Sequence, residues 1–178
     1  QSFEAVLDER PQKRHDRGGQ QTFGVVPTEC SAWLTLLFAR LTGIFRLYIQ
    51  AWDEEAKEIY CTPINVDPDS PAIPLSHPFV YAICLDNTQG PYSTLGLAED
   101  TWALNGPVID EEAFLKQAWM IFEERKKQLW DVVEKTKGGF VTVVFDTTDR
   151  ISHMFYRYLD PTHPANEGKD TEITHVPT

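Results

Sequence analysis

Gly138-Gly139-Phe140-Val141-Thr142-Val143-Val144-Phe145-Asp146 is the stretch from which the fold class reads. Residues 140–145 form a nearly unbroken β-branched and aromatic run, the pattern of a strand buried on both faces of a parallel sheet. The two glycines before it end a helix. Further back, Asp110 offers an N-cap carboxylate, and Glu111 and Glu112 put acids into a first helical turn, where the macrodipole favours them. Phe114, Ala118, Ile121, Phe122, Leu129, Val132 and Val133 then recur at helical spacing, which predicts a helix running on to residue 136. A second helix is expected over 150–158, stopped before Pro161. Helix, glycine turn, buried strand and helix, in that order, read as α/β or α+β.

Working outward toward the amino terminus, the character changes. Residues 32–38, 44–50 and 58–62 are short strand-like runs, and in the middle one Phe45, Leu47 and Ile49 are expected on the face opposite Arg46, Tyr48 and Gln50. A small antiparallel meander is predicted. Five of the twelve prolines fall at 63, 68, 71, 74 and 78, which forbids a helix and predicts an extended crossing segment packed along the surface. Residues 79–85 form a short helix or strand, and Gln89-Gly90-Pro91 and Asn105-Gly106-Pro107 are turns. The whole divides into a flexible polar arm (1–21), a β-rich, cap-like portion (22–108), a helix-strand-helix portion (109–162) and an irregular tail (163–178).

Composition bounds the function. The chain has 178 residues, 42% of them hydrophobic and 24% charged, enough for a core without staples. Its formal net charge of -11 disfavours nucleic-acid backbones and anionic lipid surfaces, although bound cations reverse the sign locally. Cys30, Cys61 and Cys84 make an odd set with no Cys-x-x-Cys pair, which argues against a disulfide framework and points to a reducing, cytoplasmic setting. No stretch has the length and apolarity of a membrane span. The chain starts with Gln rather than Met, so it is expected to be a piece of something longer.

Chemistry is expected just past the buried strand, because α/β sheets bind ligands at the carboxyl ends of their strands. There, Asp146, Thr147, Thr148, Asp149, Ser152 and His153 fall within eight positions. Asp149 and His153 are four apart, so on a helix they share a face with Cβ atoms roughly 5–6 Å apart, a gap that one zinc ion can bridge. A plainer reading gives Asp149 the role of helix cap, Asp146 that of strand end and His153 that of a surface imidazole. His163 and His175 are weak candidates for a further ligand. The pairs Glu99-Asp100 and Glu111-Glu112 are expected on solvated faces, and Trp119 and Trp130, at helical spacing, in a core. Ser76 and His77, being adjacent in an extended segment, point to opposite sides and form no triad.

The run Phe145-Asp146-Thr147-Thr148-Asp149-Arg150-Ile151-Ser152-His153-Met154-Phe155-Tyr156-Arg157-Tyr158, followed by Asp160-Pro161 and His163-Pro164, resembles a motif of predicted phosphohydrolases of the type I phosphodiesterase and nucleotide pyrophosphatase group. That group belongs to the alkaline phosphatase superfamily. Tyr60-Cys61-Thr62-Pro63-Ile64-Asn65-Val66-Asp67-Pro68, Pro74-Leu75-Ser76-His77-Pro78 and Ser93-Thr94-Leu95-Gly96-Leu97-Ala98-Glu99-Asp100-Thr101 resemble the same group in the same order, so that the likeness spans residues 30–168. It implies a metal-dependent phosphomono- or phosphodiesterase in which two divalent ions, commonly zinc, flank a Thr or Ser nucleophile that attacks phosphorus.

Asp149 and His153 match the superfamily's Asp-x-x-x-His ligand pair. Its nucleophile, its Asp-His dipeptide and its late third His have no counterpart here. The resemblance therefore implies a fragment carrying part of a metal site and no catalytic residue, which is inactive alone and need not bind a metal by itself. The parent would take a phosphate-ester substrate. The competing expectation is a non-catalytic inserted module that binds substrate or regulates. Cutting a core strand from its sheet also predicts that the strand pairs within this chain or that the fragment self-associates.

Overall fold

The computed structural model describes residues 3–6, 22–25, 30–38, 41–52, 57–160 and 162–166, and it is a mixed α+β fold in which small antiparallel sheets precede four helices. The strands are β1 (Phe3–Val6), β2 (Thr22–Val25), β3 (Leu34–Phe38), β4 (Leu41–Phe45), β5 (Leu47–Trp52), β6 (Lys57–Cys61) and β7 (Asn65–Val66). The helices are α1 (Val80–Gln89), α2 (Thr101–Asn105), α3 (Glu111–Lys135) and α4 (Thr147–Phe155), and 3-10 turns follow at Tyr156–Leu159 and Pro164–Asn166. The chain divides into two units, residues 1–100 and 101–178.

In the first unit β1 pairs with β2, β5 with β6, and β4 lies between β3 and β7, all antiparallel. The expected strand over 44–50 is broken at Arg46. There the backbone N–H bonds Thr62 Oγ1 and the carbonyl accepts from Thr62 N, both at 2.9 Å, so the chain leaves one sheet and enters another. This break overturns the predicted alternation: Ile44 and Phe45 are both buried, as are Tyr48 and Ile49. Gly43 lets β4 and the segment after Pro63 approach closely, because a Cβ there would stand 2.6 Å from Ile64 Cγ2.

The proline-rich segment runs along the surface as expected over 69–78, where every residue is exposed or half-buried, but not at its start. It contributes β7 and sinks Asp67 and Pro68 into the interior, where Asp67 Oδ1 accepts from Asp69 N at 3.0 Å. Residues 79–85 belong to α1, whose first turn is capped by Ser76: its Oγ accepts from Ala82 N at 2.9 Å. Part of the region expected to be a flexible arm is β1. The remainder of that arm, and the tail from 167 onward with His175, lie outside the described residues.

In the second unit, α3 begins as its sequence dictates. Asp110 is extended at the N-cap and accepts from Ala113 N at 2.7 Å, with Glu111 and Glu112 in the first turn. Ala113, Phe114, Gln117, Ala118 and Ile121 are buried, whereas no residue of its carboxyl half is. Lys135 closes the helix and Gly139, at φ 99°, turns the chain back.

Residues 140–145 have no regular secondary structure and join none of the described sheets, which corrects the expected buried strand. Phe140 is 92% exposed and Val144 65%. The physical reason is that β-branched composition favours an extended backbone, while a strand also needs neighbours, and among the described residues every sheet is built from pairings before residue 67. The second helix starts at Thr147, three residues earlier than expected, and passes directly into a 3-10 turn. Among the described residues no helix is long and apolar enough to cross a membrane, and none of the three cysteines is in a disulfide.

Candidate metal centre

Two aromatic contacts seat the segment that bears the candidate ligands. Phe145 meets Phe122 of α3 with ring centroids 5.5 Å apart, and Phe155 meets Phe114 at 5.9 Å. Between these anchors Thr147 and Phe155 are buried, while the opposite face of α4, with Asp149, Ser152 and His153, is exposed. A helix held by one face must present the other to solvent. The acid lies in the first turn and the imidazole in the last, the order that the helix dipole favours.

Asp149 Oδ1 and His153 Nε2 are 3.4 Å apart. Two donors on one tetrahedral zinc, with bonds of about 2.0–2.1 Å, stand about 3.3 Å from each other, so the pair has the separation of two ligands on one ion. The donor set suits that ion: one anionic oxygen and one imidazole nitrogen. Arg150 Nη1 lies 3.6 Å from the other carboxylate oxygen of Asp149 and partly balances its charge. Asp149 is not the helix cap, since the helix begins two residues earlier. Asp146 holds the N-cap position without a side-chain cap bond, and its carbonyl receives Arg150 N at 3.0 Å.

The arrangement is half of a site. Among the described residues no group of three or more His, Cys, Asp or Glu side chains is placed to hold a metal ion. His163 is engaged in a turn, its backbone N–H bonding the Asp160 carbonyl at 3.0 Å. The chain matches no family model, no curated protein and no solved structure.

Several other sequence candidates turn out differently from expectation. Glu99 is buried rather than solvated, and Asp100 Oδ2 accepts the Tyr60 hydroxyl at 2.6 Å. Trp119 and Trp130 are exposed, not core. Glu112 does lie on a solvated face, paired with Lys116 at 2.8 Å. Glu111 does not. Its Oε1 receives both Arg157 Nη2 and the Tyr158 hydroxyl, while the Arg157 guanidinium sits 4.5 Å over the Tyr158 ring.

Burial, and then the neighbouring Glu111 anion, push the Tyr158 phenol up to about 12. This cluster ties the first turn of α3 to the turn that continues α4. Sequence reading missed it because a glutamate at position two of a helix is already explained by the dipole, and nothing local links it to residues 46 positions on.

The motif segments of the amino-terminal unit are also brought together. Asn65, 5% exposed, accepts through Oδ1 from Thr94 N at 2.8 Å and Leu95 N at 3.1 Å and donates through Nδ2 to Pro63 O at 3.0 Å. Thr94 Oγ1 donates to Val66 O at 2.9 Å.

Proposed function

We propose that this chain is part of a metal-dependent phosphohydrolase, acting on a phosphate mono- or diester, in which Asp149 and His153 supply two ligands of a divalent-ion site. The observation that carries the reading is the 3.4 Å separation of Asp149 Oδ1 and His153 Nε2 on the open face of a helix. The likeness of residues 145–164 to the alkaline phosphatase superfamily supports it. So does the convergence of upstream motif segments through Asn65 with Thr94 and Tyr60 with Asp100.

A divalent ion, zinc by the chemistry of the donors, would supply Lewis-acid stabilisation of charge on phosphoryl oxygens. The chain's own residues do the rest of what can be derived. Asp149 contributes negative charge to a site that must attract a cation, and Arg150 orients that carboxylate through its second oxygen. His153 offers Nε2 only as neutral imidazole. The helix keeps both donors one turn apart, so little side-chain ordering remains to be done on binding. The remaining ligands and the nucleophile would come from elsewhere in the whole protein. On this reading the isolated chain is inactive, and its three cysteines, outside any disulfide, suit a reducing, cytoplasmic compartment.

A second reading, an inserted module that binds substrate or regulates without catalysis, is favoured by the lack of a third donor among the described residues. Calorimetric titration of the chain with zinc distinguishes the two. The hydrolase reading expects weak binding that is lost in both His153→Ala and Asp149→Ala. Binding of equal strength in the parent chain and both variants sinks it.

A further inference from the structure

The nine residues of α4 are fewer than the roughly 12–15 at which an isolated helix holds itself together in water, so its ends depend on what grips them. At the amino end the grip is apolar: Phe145 lies on Phe122 and Thr147 is buried. At the carboxyl end Phe155 packs on Phe114, and Tyr158 stacks on Phe155 at 6.0 Å. His153 belongs to this last turn. Its side chain is 73% exposed, so packing does little to locate the imidazole, and its distance from Asp149 follows from the winding of the backbone.

A polar clamp completes that end. Arg157, four positions beyond His153, is held twice: Asn166 Nδ2 donates to its carbonyl at 2.8 Å, and the Glu111 carboxylate takes its guanidinium. The same Glu111 oxygen receives the Tyr158 hydroxyl, to which Arg157 Nη2 also donates at 2.7 Å. Hydrogen bonds to charged groups are roughly twice as strong as neutral ones. Glu111 stands on a fixed base, because Asp110 caps α3 and Ala113 and Phe114 are buried just beyond it. The helix dipole does not account for this arrangement. Glu112, in the same first turn, serves the dipole from an exposed position and pairs with Lys116 at 2.8 Å, whereas Glu111 is half-buried and turned to the segment that continues α4.

We infer that Glu111 is a positioning residue for the Asp149–His153 pair. Acting through Arg157 and Tyr158, it keeps the last turn of α4 wound, and so keeps the imidazole at ligand distance from the carboxylate. The inference rests on the reading of that pair as metal ligands.

Two readouts on the 178-residue chain test it: zinc affinity by calorimetry, well below the unfolding temperature, and native-state amide exchange by NMR. In Glu111→Ala, exchange at His153, Met154 and Phe155 accelerates about tenfold or more as the turn opens. Zinc affinity falls about threefold or more, because only the wound fraction offers both donors. Tyr158→Phe keeps the ring stack and loses one bond, so both readouts move the same way by less; it carries the test if the alanine variant does not fold. Glu111→Gln, which retains an oxygen acceptor, recovers part of the loss. Glu112→Ala keeps the parent chain's affinity. So does Ile121→Val, a core deletion in α3 that lowers overall stability without touching the clamp.

Unchanged zinc affinity in both Glu111→Ala and Tyr158→Phe, with binding still lost in His153→Ala, overturns the positioning role and leaves the metal reading in place. An equal loss in Ile121→Val overturns it as well, since the effect would then be one of overall stability. Zinc binding that is absent from the parent chain, or indifferent to His153→Ala, removes the metal reading and this inference with it.

Discussion

Replacing Asn65 with alanine removes the acceptor for two backbone N–H groups, those of Thr94 and Leu95, and the donor to Pro63 O. Each neutral hydrogen bond contributes about 1 kcal/mol net, and a donor stranded away from water costs about 1–3 kcal/mol. Thr94 and Leu95 are only half-buried, so water relieves part of that cost and the lower end applies. The sum is about 2–3 kcal/mol, and the segment after Ser93 should open correspondingly more often, accelerating exchange of those two amides about 30- to 150-fold.

Native-state hydrogen exchange reads this directly. Asn65→Leu separates bonding from packing, because leucine fills the space while still stranding both amides. Both variants should exchange faster at Thr94 and Leu95. Unchanged protection in Asn65→Ala, or full recovery in Asn65→Leu, would refute the assignment of these bonds as the clasp.

Phe114→Ala should cost about 3–5 kcal/mol, since the ring is fully buried and faces Phe155; thermal unfolding followed by helical circular dichroism measures it. A loss below half of that range would mean that the site collapses around the deletion. Tyr158 should titrate near 12 by phenolate absorbance, and Glu111→Gln should lower that value, because burial raises it first and the Glu111 carboxylate raises it further by its hydrogen bond and its charge. The folded phenol holds its proton more tightly than the unfolded one, so its contribution to stability is complete below pH 10 and is lost as pH rises toward about 12.

Legibility followed the range of the forces involved. Helix α3 was readable to within a residue at both ends because its cap, first-turn acids, apolar stripe and closing glycines all act within a few positions. The pairing of Asp149 with His153 was readable for the same reason, as four residues on a helix fix a separation. Arg46 defeated the reading of residues 44–50 as a single strand because its partner, Thr62, lies sixteen residues away. Glu99 was read as solvated from its own polarity, yet the chain folds it inside.

Residues 140–145 mark where sequence ends and tertiary structure begins. Their β-branched run favours an extended backbone by itself, since each residue's φ and ψ preference is its own property. Whether that backbone becomes a strand depends on hydrogen-bonding edges supplied by other segments, and among the described residues none supplies them. In the same way, sequence alone put a carboxylate and an imidazole one helical turn apart, while packing of Phe145 on Phe122 and Phe155 on Phe114 decided which side of α4 faces the solvent.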